Sequence, residues 1–348
     1  MTLTAPAREA STPPGKRAAT GALLGLALGD ALGFPTEFSD VPRILATWGP
    51  WREMPLPAPA CVTDDTQMTL ALGRGLRTAM SRGPLVGSRL VRPVREEFVD
   101  WYHSPDNNRA PGWTCMVACR LLDGDAPWQQ ASQTGSKGCG ANMRVAPVGL
   151  APGLDDGQRA GAAQLQSALT HGHPTALAAS DLTARAVHLL AGGEDPSDLV
   201  GLLRSYALEA RTRYHERWLG DLWRHATADP SPGAFIARGW DECLAVLDRL
   251  DAALRAPEPE ADPCLATGDG WIAEEALATA LLCFLMFPEE PLTVLRRAAC
   301  TRGDSDSIAA LAGAFAGAHL GAGAWPADWT ARIEYRPELL ELGALWDA

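Results

Sequence analysis

An all-α fold, a compact single-domain orthogonal helical bundle, is what this sequence predicts, and three observations carry the prediction. Apolar side chains recur at helical spacing through most of the chain, whereas the alternation of half-buried strands is scarce. One stretch near the N-terminus holds Gly21, Gly25, Gly29 and Gly33 at i,i+4 spacing, and Gly313, Gly317 and Gly321 repeat the stripe near the C-terminus. Glycine costs a helix about 1 kcal/mol relative to alanine. A stripe of it on one face therefore signals close approach of another backbone, and the two striped helices are expected to pack on each other at the centre. Finally, from Ile308 to Gly321 the second striped stretch carries no formal charge, so it reads as apolar all round and buried. No fixed-period repeat points to a solenoid.

The elements follow in order. Residues 1–16, rich in Ala, Pro, Ser and Thr, read as a disordered N-terminal tail, and 17–348 as one all-helical domain. Thr20 is an N-cap candidate for the first striped helix. Pro55, Pro57 and Pro59 make a loop, after which Thr66 to Met80 reads as helix. Residues 103–113 are loop, "WTCMVACRLLDG" is a short helix closed by Gly124, and 132–140 is a Gly/Ser loop. Helices over 158–170 and 174–192 flank "THGHP". Long helices are expected over 196–227 and 234–255. The Pro- and acid-rich 256–270 is the best candidate for an insertion, helices resume over 272–287 and 291–300, and 322–348 is Trp-rich and mixed.

At 348 residues a sizeable core is available, and 47% hydrophobic with 21% charged is ordinary globular composition. The net charge of −12 argues against extended nucleic-acid binding, which wants a basic face. A local phosphate pocket stays open. No apolar run is expected to reach the roughly 18 to 20 residues of a membrane span. Ala22 to Leu28 is followed by Asp30 without a cleavage-like motif, so neither a signal peptide nor a membrane partner is expected and the location is expected to be cytoplasmic. Eight cysteines include no CxxC pair. Cys115 and Cys119 are i,i+4 but lack a second ligand pair, so buried free thiols are the better reading than zinc.

Two acidic clusters carry the chemistry. Thr63-Asp64-Asp65-Thr66 and Asp304-Ser305-Asp306-Ser307 each stand directly before a helix of small or apolar residues. Singly, each could be a helix cap. One cap needs one such residue, and adjacent buried carboxylates repel unless a cation joins them. Together, with a striped helix in play, the clusters favour metal binding. Carboxylates and hydroxyls without His or Cys suit hard cations such as Mg²⁺, Ca²⁺ or Mn²⁺, and the spacing of an EF-hand is absent. Four carboxylates balance two divalent ions, which in two-metal sites stand roughly 3.5 to 4 Å apart. Asp30 and Glu37, in "GDALGFPTEF", are surface or capping candidates, and Glu37 follows Pro35 in a loop that could overhang a site. In "GSKGCGANMRVAPVGL" the glycines with Ser136 and Lys137 could cradle a phosphate, although this is no Walker loop. His171 could be a ligand or an acid/base group, while His173 reads as an ordinary helix-start residue before a proline.

"GALLGLALGDALGFPTEF", "VTDDTQMTLAL", "GCGANMRVAPVGL", "LTHGHP" and "GDSDSIAALAGAFAGA", in that order, resemble the successive motifs of the ADP-ribosylglycohydrolase family. The resemblance runs from Gly21 to about Gly321. It implies an all-α fold with a binuclear Mg²⁺ or Mn²⁺ site at helix N-termini, and hydrolysis of an ADP-ribosyl group from a modified acceptor. By motif, Thr63, Asp64, Asp65, Asp304, Asp306 and Ser307 would be metal ligands. Glu37 would be the mobile loop acid near the scissile bond. Ser136, Lys137, Gly138, Cys139 and Gly140 would line the diphosphate site, with His171 near the distal ribose or diphosphate.

Two departures stand out. Ser307 replaces the Thr of many relatives, which keeps one hydroxyl oxygen, and Cys139 replaces the Asn of some, which bears on phosphate contacts. The region 196–270 matches no motif. Mechanistically, Glu37, Asp64 and Asp65 are the candidates for activating a water that attacks the anomeric carbon, and carboxylates would stabilise the oxocarbenium-like state. A catalytically silent ADP-ribose binder and a two-metal phosphohydrolase are the alternatives. The acceptor and the oligomeric state are not legible.

Overall fold

The computed structural model describes residues 15–226 and 229–347. Of the expected N-terminal tail, residues 1–14 lie outside the described residues. The described chain is already docked at Lys16, whose ammonium donates to the Leu190 carbonyl at 3.0 Å and whose own carbonyl accepts from Ala322 N at 3.2 Å. The protein is all-α, and among the described residues the only β-pairing is three isolated bridges.

The first helices are α1 (Ala18–Gly33), α2 (Val41–Trp48), α3 (Asp64–Ser81), α4 (Gly87–His103), α5 (Trp113–Leu122) and α6 (Trp128–Ala131). The middle of the chain supplies α7 (Ala146–Leu150), α8 (Asp156–Ala168), α9 (Pro174–Ala191), α10 (Leu199–Ala210), α11 (Glu216–Leu219) and α12 (Pro232–Arg255). The last third adds α13 (Cys264–Thr267), α14 (Ala273–Met286), α15 (Pro291–Ala299), α16 (Ser305–Leu320), α17 (Ala327–Arg332) and α18 (Arg336–Trp346).

Helices α1 and α16 form the most extensive pair in the molecule, at its centre, and every residue of α1 is buried. The stripes set their register. A Cβ on Gly25 would lie 2.2 Å from the Gly313 carbonyl oxygen, and one on Gly313 would lie 2.0 Å from the Gly25 oxygen. The same mutual approach joins Gly21 to Gly317, and a Cβ on Gly29 would lie 2.0 Å from the Ala309 carbonyl oxygen. The pairing is antiparallel, so the C-terminal end of α1 lies beside the N-terminal end of α16. Thr36 then donates to the Ala299 carbonyl at 2.6 Å, and Ser305 donates to the Gly33 carbonyl at 3.0 Å. Ala18–Thr36 is long and apolar enough by length and composition to cross a membrane, contrary to the sequence expectation. Its window is 89% buried inside the protein, which makes it the core helix of this bundle.

Two expected elements differ. The single helix over 196–227 is broken: α10 ends at Ala210, and Gly220 at φ +56° closes the short α11. Arg211 leaves the helix end to form a two-pronged pair with Asp241 of α12 at 2.5 and 2.6 Å. The second is 256–270, where the Pro- and acid-rich stretch holds the short α13. The carbonyl of Asp269 accepts from Asp304 N at 2.8 Å, and a Cβ on Gly303 would lie 1.8 Å from that oxygen. The end of this loop therefore supports the start of α16.

Candidate active site

Three segments deliver carboxylates to one place. Asp30 comes from the last turn of α1, and Glu37 from the short loop after it. Asp64 and Asp65 open α3, and Asp304 and Asp306 flank the first residue of α16. The five aspartates are buried, none more than 8% exposed. One oxygen each of Glu37, Asp304 and Asp306 lies within 4.8 Å of the others.

Asp30 organises the opening of α3. It accepts the Thr63 N–H at 3.0 Å and the Thr63 hydroxyl at 2.9 Å, and then the Thr66 N–H at 3.1 Å and the Thr66 hydroxyl at 2.5 Å. Thr63 in turn caps α3, its hydroxyl accepting Asp65 N at 3.3 Å. Asp64 accepts Gly112 N at 3.1 Å. The dipoles of α3 and α16 favour negative charge at their N-termini, but each such interaction is worth only about 0.3 to 1 kcal/mol, up to about 2 when partly buried.

That is too little for six carboxylates. Burial first, and the neighbouring Asp306 next, push the Asp30 acid up to about 7 and Glu37 up to about 9. Burial lifts Asp64 to about 7 as well, and raises Asp65, Asp304 and Asp306. Two buried oxygens, Asp65 Oδ2 and Glu37 Oε2, have no hydrogen-bond partner among the described residues. Orphaned buried carboxylate oxygens in an all-oxygen donor set are what a hard divalent cation satisfies, so these residues fit one.

Glu37, Asp64, Asp65, Asp304, Asp306 and Ser307 floor an open cavity of about 330 Å³. Gly138, Cys139, Gly140, Met143 and His171 form a wall, and Phe38, Trp113 and Trp271 stand at the rim. Phe38 and Trp271 stack with centroids 5.3 Å apart at 19°. Phe38 holds φ at +59°, so the residue beside Glu37 sits in a left-handed conformation. The wall loop is laced to its surroundings: Cys139 N donates to the Trp271 carbonyl at 3.1 Å and Ala273 N to the Lys137 carbonyl at 2.9 Å. The Cys139 N–H is thus withdrawn from the anion cradle that the sequence suggests.

The structure therefore gathers Glu37, Asp64, Asp65, Asp304, Asp306, Ser307, Gly138, Cys139, Gly140 and His171 around one cavity. Thr63 sits beneath it, on Asp30. Two candidates stand behind the lining rather than in it. Lys137 is turned away to Glu242 at 2.7 Å and Glu274 at 2.5 Å, because the half-buried ammonium finds two carboxylates there. Ser136 pairs with the Thr114 hydroxyl at 2.9 Å. His173 is a helix-start residue, its Nδ1 accepting Thr175 N at 3.2 Å. The thiols of Cys115 and Cys119 are free and buried. Sequence reasoning did not assign Asp30 to the site. The available signal was a lone charge in an otherwise apolar helix. It also missed the aromatic rim, for which no local signal exists.

The fold and the site together define an all-α protein with a buried carboxylate centre at the meeting of two helix N-termini, opening into a cavity. The profile of the ADP-ribosylglycohydrolase family matches residues 11–348. The chain belongs to the ADP-ribosylglycohydrolase family. It is 35% identical over 180 residues to ADP-ribosyl-[dinitrogen reductase] glycohydrolase of Rhodospirillum rubrum, a match spanning 50% of this chain and 58% of that protein. It is 29% identical over 344 residues to human ADP-ribosylhydrolase ARH3, covering 90% and 88% of the two chains. A solved structure entitled "ADP-ribosylglycohydrolase-related protein complex" superposes with a TM-score of 0.62 at 23% identity, over 95% of this chain and 98% of the other, and so shares the fold.

Proposed function

We propose that the protein hydrolyses the glycosidic bond between ADP-ribose and a modified acceptor, a protein side chain or a small molecule, and releases ADP-ribose. The observation that carries this reading is the convergence of five carboxylates, with Asp30 behind them, on the floor of one cavity whose wall is the Gly138–Gly140 loop and His171. Water adds to the anomeric carbon, the bond from that carbon to the acceptor heteroatom breaks, and the proton from water ends on the acceptor.

The residues with free oxygens or hydroxyls at the floor, Asp64, Asp65, Asp304, Asp306 and Ser307, with Thr63 beneath, would hold two divalent cations, Mg²⁺ or Mn²⁺. Bound there, such ions would neutralise the acids and orient ribose hydroxyls. The chain's own groups do the rest. Glu37 lines the floor beside Asp304 and Asp306, and burial, which favours its protonated form, suits it to deliver a proton to the leaving heteroatom. The aspartates stabilise the positive charge that develops on the ribose in the oxocarbenium-like state. The family match and the names of the relatives support the ADP-ribosyl group as the substrate.

Product analysis tests the proposal. ADP-ribosylated arginine and serine peptides and O-acetyl-ADP-ribose are incubated with the protein and Mg²⁺, and the products separated. Free ADP-ribose supports glycosidic cleavage. AMP with ribose phosphate would mean diphosphate cleavage instead, and no product from any of them would contradict the hydrolase reading.

A further inference from the structure

The cavity wall holds one ring whose hydrogen the surrounding packing places. His171 is 2% exposed, and its Nδ1 lies 2.9 Å from the Thr170 hydroxyl. That hydroxyl has a single hydrogen to give. Its oxygen already accepts from Arg144 Nη2 at 2.7 Å. The other acceptor in reach is the Ser167 carbonyl, at 3.4 Å. That carbonyl already accepts the N–H of Thr170 at 3.0 Å and the N–H of His171 at 2.7 Å, which fills its two lone pairs. The Thr170 hydrogen is therefore directed at Nδ1. In a neutral imidazole the hydrogen then sits on Nε2.

The Nε2 edge of the ring faces the glycine loop, with Cε1 3.0 Å from a Cβ placed on Gly140. That Cβ would lie 3.3 Å from Nε2, and one on Gly138 would lie 3.5 Å from Nε2. Arg144 is itself held in place. Its Nε donates to the Gln166 side chain and its Nη2 to the Gln166 carbonyl, both at 2.9 Å, and its guanidinium lies 4.3 Å over the Phe98 ring.

We propose that Thr170, clamped by Arg144, is a positioning residue that locks His171 in the Nε2–H tautomer, so that the cavity wall presents a permanent N–H donor to an oxygen of the bound ADP-ribosyl group. The substrate half of this inference rests on the function proposed above; the tautomer lock does not. Burial, and then the Arg144 charge, hold the ring's pKa down at about 3, so it stays neutral through the working range. A neutral donor oriented by a threonine binds an anionic group without changing charge when pH changes.

The test is nitrogen NMR of the full chain labelled in its histidines, with ADP-ribose affinity in Mg²⁺ measured beside it. The wild type is expected to show an unprotonated Nδ1 and a protonated Nε2 for His171, unchanged between about pH 5.5 and 8.5. Thr170→Val is expected to move both signals toward the tautomer average and to weaken ADP-ribose binding about tenfold. Thr170→Ser is expected to restore both, which a merely structural role for the methyl-bearing side chain would not produce. A protonated Nδ1 in the wild type overturns the lock whatever ADP-ribose does, and so does a Thr170→Val protein with unchanged signals and affinity. The expected wild-type signature with no ADP-ribose affinity supports the lock and sinks the functional reading, so the two failures are separable.

Discussion

Asp30 reaches out of the central helix and takes both the N–H and the hydroxyl of Thr63, at 3.0 and 2.9 Å. With the Thr66 pair it accepts four donors, which fixes the first turn of α3 onto the end of α1. The two acidic motifs are more than two hundred residues apart in sequence. They meet because α1 binds α16 through its glycines and α3 through this carboxylate.

Removing that charge should be felt at the proposed metal site. Asp30→Asn keeps the shape but exchanges one acceptor oxygen for a donor that faces Thr63 and Thr66. Loss of such an orienting partner typically costs 10- to 100-fold in metal affinity. Titration of Mg²⁺ into this variant should show weakening of about tenfold, while each unmatched donor costs about 1 to 3 kcal/mol of stability.

Asp65 should behave in the opposite way toward stability. Its Oδ2 has no partner among the described residues, and burial and four neighbouring acids raise its pKa. Asp65→Asn removes a repelling charge, so the metal-free protein should melt at the same temperature as wild type or higher. Turnover should be abolished and the Mg²⁺-induced rise in Tm lost. Full activity in this variant, or in Asp304→Asn, would refute the assigned roles.

The pH dependence has a definite sign. Asp30, Asp64 and Glu37 have folded pKa values raised to about 7, 7 and 9, above their unfolded values. Their contribution is fully present below the unfolded values and is lost as pH rises through the folded ones. Histidines 171, 173 and 188 are depressed to about 3, 4 and 4, so they act on stability only below about pH 6.5. In EDTA, Tm should therefore fall between about pH 7 and 9, and added Mg²⁺ should raise Tm more at pH 9 than at pH 6. Thermal scans at both ends of that window check it.

The central helix pair has its own test. Gly313→Ala places a methyl 2.0 Å from the Gly25 oxygen, a backbone atom that cannot swing aside. Overpacking of this kind costs about 1 to 3 kcal/mol, occasionally more. Gly201→Ala, in α10 with nothing within 4 Å of the new Cβ, should be neutral or slightly stabilising. Denaturant midpoints of the two variants compare directly.

How much of this was legible in the sequence follows from the range of the forces. The glycine stripes announced the α1–α16 pairing, because a gap at i,i+4 has few other uses. The acidic motifs announced themselves because adjacent carboxylates beside apolar helices are costly. Asp30 did not, since a single acid near a helix end also fits a cap or a surface site. Lys137 reads as a phosphate ligand beside its glycines, and only the fold shows Glu242 and Glu274 closing on it. The break in 196–227 was hidden for the same reason, because Arg211 leaves its helix for a partner thirty residues on.

The most direct measurement is isothermal titration of ADP-ribose into the protein in Mg²⁺ and again in EDTA. The account predicts binding in Mg²⁺ that is lost in EDTA, with the distal ribose on the carboxylate floor. Equal binding in both conditions would detach the ligand from the acids, and no binding in either would contradict the ADP-ribosyl reading of the cavity.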